Sequence, residues 1–314
     1  MTALSRSLQE YLALRRALGT KLQGPELHLQ RFVEFADRAG SEVITTDLAL
    51  RWATAPGRAS AATRAVRLGD VRRFAAWLSA IDPRTEIPPK DLMPHRYRRK
   101  SPYIYSDQEI ECILGETARL ASPSGIRALT YTTLFGLLAV TGLRVSEALG
   151  LDRDDVDFER GMLAVRHAKF GKSRFVPLHD STSVALRHYM KRRNLLLPRP
   201  TTSAFFLNER GTRLTISSAD HTFAAVSQAV GLRPPTEAYR CGRRPRLHDM
   251  RHRLAVRTLV RWYREGKDVD RELPKLTAFL GHTHIADTYW YFEAVPELLQ
   301  LASERATRPL EGSL

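Results

Sequence analysis

The sequence predicts a mainly α-helical protein of two domains, with one small β-hairpin in the second. Three observations carry this. Apolar residues recur at helical spacing between cap residues over residues 1–82. Residues 83–105, PRTEIPPKDLMPHRYRRKSPYIY, hold five prolines and the basic run His95 to Lys100, and so read as a linker. Residues 161–178, GMLAVRHAKFGKSRFVPL, alternate in polarity around a Gly-Lys turn, the pattern of a hairpin. A chain of 314 residues suits two domains, and 43% hydrophobic residues suffice to bury two cores.

The elements follow in order. SLQEYLALRRALG reads as a helix closed by Gly19, and PELHLQRFVEFADRAG as one entered at Pro25 and stopped by Gly40. TTDLALRWATA offers a Thr or Asp N-cap. AATRAVRLGDVRRFAAWLSAI sets Val71, Phe74, Leu78 and Ile81 on one apolar stripe, with Arg64, Arg67, Arg72 and Arg73 mostly off it. These four helices make a small domain with basic faces. The second domain spans 106–314. It opens with Ser106 and Glu109 in capping-box spacing. IRALTYTTLFGLLAVTGL is apolar enough to be a buried helix. Helices are expected again near 180–197 and 217–230, then after the basic loop that ends in LHDMRH. A last amphipathic helix, 295–306, carries Val295, Leu298, Leu299 and Ala302, and a polar tail follows.

The formal net charge is +15 and the isoelectric point about 10.2, which points to a polyanion as partner. Both parts share the charge, since residues 1–105 carry 18 Lys and Arg against 10 Asp and Glu. Cys112 and Cys241 form no CxxC pair, so neither a disulfide framework nor a zinc site is expected. There is no basic-then-apolar leader and no run of 18 apolar residues, so the expected location is the cytoplasm, without a membrane partner.

Four groups stand out: TGLRVSEAL with Arg144, HAKFGKSR with Lys169, LHDMRH with His248 and Arg251, and GHTHIADTYWYF with His282 and Tyr291. Each alone is commonplace; an arginine after a buried helix is usually an ion-pair partner, and a tyrosine among aromatics is usually core. Together, in this order, they resemble the tyrosine recombinase (phage integrase) family over the whole chain. The resemblance implies an N-terminal helical, SAM-like core-binding domain over 1–82, the linker 83–105, and an α+β catalytic domain. It also implies a site-specific recombinase that joins DNA through a 3′-phosphotyrosyl intermediate, with no metal or other cofactor and no ATP.

The chemistry fits these residue types. Without a metal, cations must stabilise the charge that spreads over the phosphate oxygens. Guanidinium groups do so bidentately, which suits Arg144 and Arg251. By the resemblance, Lys169 protonates the leaving 5′-oxygen, with Lys172 as the alternative three residues on. His248 serves as base or proton shuttle at the tyrosine, and His282 hydrogen-bonds the phosphate. The nine-residue step from His282 matches Tyr291 as nucleophile. Tyr289, two residues away, points about 200° elsewhere on a helix. His252 is expected to be structural and His284 exposed, while Glu147 and Asp249 brace the site. Expected DNA contacts are Arg64, Arg67, Arg72, Arg73, Arg96, Arg98, Arg99, Lys100, Lys172, Arg174, Arg243 and Arg244.

The resemblance further implies double-stranded DNA as partner and a homo-tetramer on two DNA sites, with the C-terminal helix docked on a neighbouring copy in trans. Companion recombinases or accessory DNA-bending proteins are further partners it allows. The long charged segment after Arg251 and the YWYF ending depart from plainer integrases and resemble transposon recombinases, which suggests transposition. Two other readings share the pattern: a type IB topoisomerase-like relaxase, and an inactive DNA-binding regulator on the same fold.

Overall fold

The computed structural model describes residues 2–20, 22–55, 59–93, 101–166, 173–234 and 245–307. Lys169, Lys172, Arg96, Arg98, Arg99, Lys100, Arg243, Arg244 and Cys241 lie outside the described residues, as do Phe170 and Gly171 of the expected hairpin turn. The chain divides into two compact units, 1–99 and 100–314.

The first unit is four helices: α1 (Ala3–Ala17), α2 (Gln23–Arg38), α3 (Thr46–Thr54) and α4 (Ala61–Leu78). Hydroxyls of Thr2, Thr45 and Ser60 cap α1, α3 and α4 by accepting from the backbone three residues on, which satisfies N–H groups the helix cannot pair. The apolar stripes meet in one core with Leu12, Phe32, Leu48, Trp52 and Phe74 at its centre. Val71, Phe74 and Leu78 are buried as their spacing predicts. Ile81 is not: it is 59% exposed. The helix ends at Leu78, whose carbonyl accepts from both Ile81 and Asp82 in a turn, and the stripe stops with the helical period.

The second unit is mainly helical with a three-stranded antiparallel sheet. Its helices are α5 (Asp107–Ala118), α6 (Ile126–Thr141), α7 (Val145–Gly150), α8 (Asp180–Leu196), α9 (Ile216–Ala229), α10 (Leu247–Arg264), α11 (Val269–Leu280), α12 (Ala286–Ala294) and α13 (Pro296–Thr307). The sheet runs β1 (Val156–Asp157), β2 (Met162–Val165), β3 (Arg174–Pro177), with Leu163 facing Val156 on one side and Val176 on the other. The capping box at Ser106 and Glu109 is formed in both directions. The apolar helix foreseen after Gly125 is α6, the spine of the main core.

The placement of α10 positions the site. Its first turns put Leu247 and Met250 into the α6 core. Its later turns put Ala255, Val256 and Leu259 into a second cluster with Leu273 and Leu280 of α11, Tyr291 of α12 and Leu298 of α13. Removing a buried leucine such as Leu298 would cost about 2–5 kcal/mol. In the single chain Val295 and Leu298 of the expected docking stripe are buried against α10 and α12, and Leu299 is 51% exposed. Among the described residues no helix is long and apolar enough to cross a membrane.

Candidate active site

Two glycines set the backbone of the site. Gly142 ends α6 at φ +61°, and a Cβ there would lie 2.9 Å from a methyl of Leu254 on α10. Gly281 ends α11 at φ +67°, and a Cβ would lie 2.7 Å from the Arg174 guanidinium. Both positions combine left-handed backbone with close approach, which glycine alone meets without strain.

Between these turns three arginines converge. Arg144, the residue before α7, donates to Glu147 Oε1 at 2.7 Å and to the Gly281 carbonyl at 2.9 Å. Arg174, on β3, donates to both oxygens of Glu147 at 3.0 and 2.8 Å and to the Phe279 carbonyl at 3.1 Å. Arg251, on α10, donates from Nη1 to the Gly142 carbonyl at 2.8 Å. Arg174 therefore braces Glu147, which in turn holds Arg144. Burial pushes the Glu147 carboxyl up, but hydrogen bonds and charge from Arg174 and Arg144 outweigh it and hold the group at about 2.

Arg251 is 2% exposed, and its Nη2 is buried with no hydrogen-bond partner. Burial, and then the like charge of Arg144, lower its pKa to about 10, so it remains a cation at neutral pH. A buried guanidinium N–H without an acceptor costs free energy, and an anion delivered beside it would relieve that cost. His282 follows Gly281 directly. Its Nδ1 lies 2.8 Å from the hydroxyl of Thr288, which fixes the ring, and the ring stacks against Tyr291 with centroids 6.4 Å apart.

Tyr291 is 1% exposed and Tyr289 is 45% exposed, on opposite sides of α12 as their spacing predicts. The Tyr289 hydroxyl donates to Asp270 at 3.3 Å, away from the arginines. The Tyr291 hydroxyl lies 2.9 Å from Nδ1 of His252. His252, expected to be structural, is thus on the Tyr291 hydroxyl. His248 stands one turn earlier and meets His252 edge to face at 4.8 Å. His248 is exposed. Desolvation of the ring by its neighbours, with the charges of Arg251 and Arg246, lowers its pKa to about 4, so it is neutral at pH 7.

Asp249 is fully buried and accepts from the Arg246 backbone at 2.9 Å and from its guanidinium at 3.0 Å. It braces the start of α10, as expected. His284 is exposed. Arg174, expected on DNA, is engaged with Glu147. The local signal for His252 was its place four residues after His248, one turn along the same helix face. Which histidine meets the phenol depends on how α12 crosses α10, which no local pattern encodes.

The arrangement gathers Arg144, Arg251, His248 and His282 around a buried phenol, a set suited to an anionic ester and an oxygen nucleophile. Residues 105–297 match the model of the phage integrase family. A Sinorhizobium fredii (strain NBRC 101917 / NGR234) protein named integrase/recombinase y4rB is 44% identical over 317 residues, covering 99% of each chain. The Tn1549 transposon integrase in complex with transposon right end DNA is similar in fold, with a TM-score of 0.65 at 19% identity over 98% of this chain and 100% of that one. A lambda integrase tetramer bound to a Holliday junction aligns with a TM-score of 0.59 at 18% identity, over 90% of this chain and 77% of that one.

Proposed function

The chain belongs to the phage integrase family, and from that premise we propose that it is a site-specific DNA recombinase, of integrase or transposase type, that cuts and rejoins strands through a 3′-phosphotyrosyl bond to Tyr291. The observation that carries this reading is the Arg251 guanidinium, buried beside the phenol with an unpartnered Nη2. In the proposed reaction the Tyr291 oxygen bonds to phosphorus as the bond from phosphorus to the 5′-oxygen breaks. Arg144 and Arg251 hold the non-bridging oxygens. Removing one such preorganised donor typically raises a barrier by ~2.7–4 kcal/mol. His282 and His248 offer N–H donors to the same oxygens. Lys169, by its match to the family pattern, supplies the proton to the leaving 5′-oxygen. A 5′-hydroxyl from a second strand then attacks the phosphotyrosine and frees Tyr291. One ester is exchanged for another, so the scheme calls on neither ATP nor a metal.

The basic helices of the first unit and the linker 83–105 would hold the duplex phosphates. Two neighbours bear on the larger assembly: the one on transposon right end DNA and the tetramer on a Holliday junction. They support a homo-tetramer of this chain acting on two DNA sites, and a role in transposition. Covalent trapping tests the reading. Nicked duplexes carrying the sequences that border its own gene are mixed with wild type, Tyr291→Phe and Tyr289→Phe, and adducts are resolved on denaturing gels. An adduct lost only in Tyr291→Phe is the expected result. Loss only in Tyr289→Phe would move the nucleophile. Tight DNA binding without an adduct in any protein would favour a regulator on this fold.

A further inference from the structure

We propose that His252, not His248, takes the proton from the Tyr291 hydroxyl. The inference rests on the recombinase reading and deepens it by assigning a catalytic base.

The geometry is that of an activated nucleophile: a hydroxyl within hydrogen-bond reach of a base, with a buried carboxylate near the base's far side. The Tyr291 oxygen is 2.9 Å from His252 Nδ1. The other ring nitrogen, Nε2, lies 3.9 Å from Asp249 Oδ1. Asp249 is buried and held by Arg246, so its charge is fixed in place. A carboxylate on the Nε2 side favours the proton on Nε2, which leaves Nδ1 as an acceptor for the phenol. The imidazole is clamped besides: it meets His248, Trp290 and Tyr291 edge to face, with centroids 4.8, 5.5 and 5.5 Å away. His252 itself is 4% exposed.

The two histidines then divide the work. His248 faces outward, toward where a phosphate would arrive, and stays neutral. His252 faces inward, on the nucleophile. As the oxygen bonds to phosphorus, its proton passes to His252 Nδ1, and Asp249 stabilises the imidazolium. When the incoming 5′-hydroxyl displaces the tyrosine, His252 returns that proton to the phenolate. The proton of that 5′-hydroxyl goes back to the acid that protonated the leaving 5′-oxygen in the first step, so every group ends as it began.

Two measurements test this. The first needs no DNA: long-range 1H–15N correlation on the full-length protein with labelled histidine, His252 being assigned from the spectrum of His252→Gln. The expected signal is the Nε2-protonated tautomer. A proton on Nδ1 would make the phenol the acceptor and overturn the proposal. The second is single-turnover cleavage on the nicked duplexes from about pH 6 to about pH 10, the range up to the ordinary phenol pKa. His252→Gln should cleave roughly 10²- to 10⁴-fold more slowly near neutrality. It should then regain about tenfold per pH unit as the phenol ionises unaided. His248→Gln should lose rate with the wild-type profile kept. A loss in His252→Gln that is equal at every pH, or the steep profile in His248→Gln instead, would overturn the proposal. Absence of an adduct in wild type would sink the recombinase reading alone, and the tautomer would still decide whether His252 accepts from Tyr291.

Discussion

Glu147 is the residue on which the clamp hangs, because two of the three site arginines end on its carboxylate. Its pKa sits at about 2 instead of 4.5, so the folded chain holds the charged form more tightly than the unfolded chain does. The sign follows from that. The stabilisation is fully present above about pH 4.5 and is lost as pH falls toward about 2, and a shift of that size corresponds to about 3 kcal/mol. Glu147→Gln should therefore be less stable than wild type at neutral pH by a few kcal/mol. The gap should close as both are taken below about pH 4.5, when thermal or urea unfolding is followed at several pH values. A gap that does not change with pH would mean that Glu147 contributes through packing and not through its charge. Arg144 and the brace from Glu147 three residues on are local features, and they were readable in the sequence. The brace from Arg174 was not, because β3 meets Glu147 only through the tertiary fold.

At the scale of the element, α12 is a helix with two tyrosines and two fates. Its apolar side packs into the cluster with α10, α11 and α13, which buries Tyr291 and leaves Tyr289 on Asp270 at the surface. The proposed nucleophile, Tyr291, is 1% exposed and so sheathed in the DNA-free chain. Hydroxyl-radical footprinting of the DNA-free protein should modify Tyr289 several-fold faster than Tyr291. Equal modification would show that the nucleophile is already open in the free chain. Helices such as α4, α5 and α6, and the capping box at Ser106, were legible because each is written in consecutive residues. The end of α4 before Ile81 was not, because helix termination is decided by neighbours distant in sequence. The position of His252 on the phenol belongs to the same class.

Across the whole molecule the excess of +15 is spread over both units, and the cations differ in what they are free to do. Arg73 is tied to Asp70, a buried carboxylate that also meets His28 at 2.7 Å. Arg64, Arg67 and Arg72 have no ion-pair partner among the described residues, and Arg67 lies over the Trp52 ring at 5.8 Å. A cation already neutralised by a carboxylate releases few counterions when it meets a phosphate. A free one releases nearly its full share, worth about 0.9 in the slope of log K against log salt. Arg64→Ala, Arg67→Ala and Arg72→Ala should therefore each flatten that slope by about 0.9 on a duplex of arbitrary sequence. Arg73→Ala should flatten it by much less, because the charge it removes is already balanced at Asp70. Anisotropy titrations of full-length protein at four or five salt concentrations would read this directly. Slopes unchanged in the first three variants would take the phosphate contacts off α4 and leave the linker and the second unit to hold the DNA.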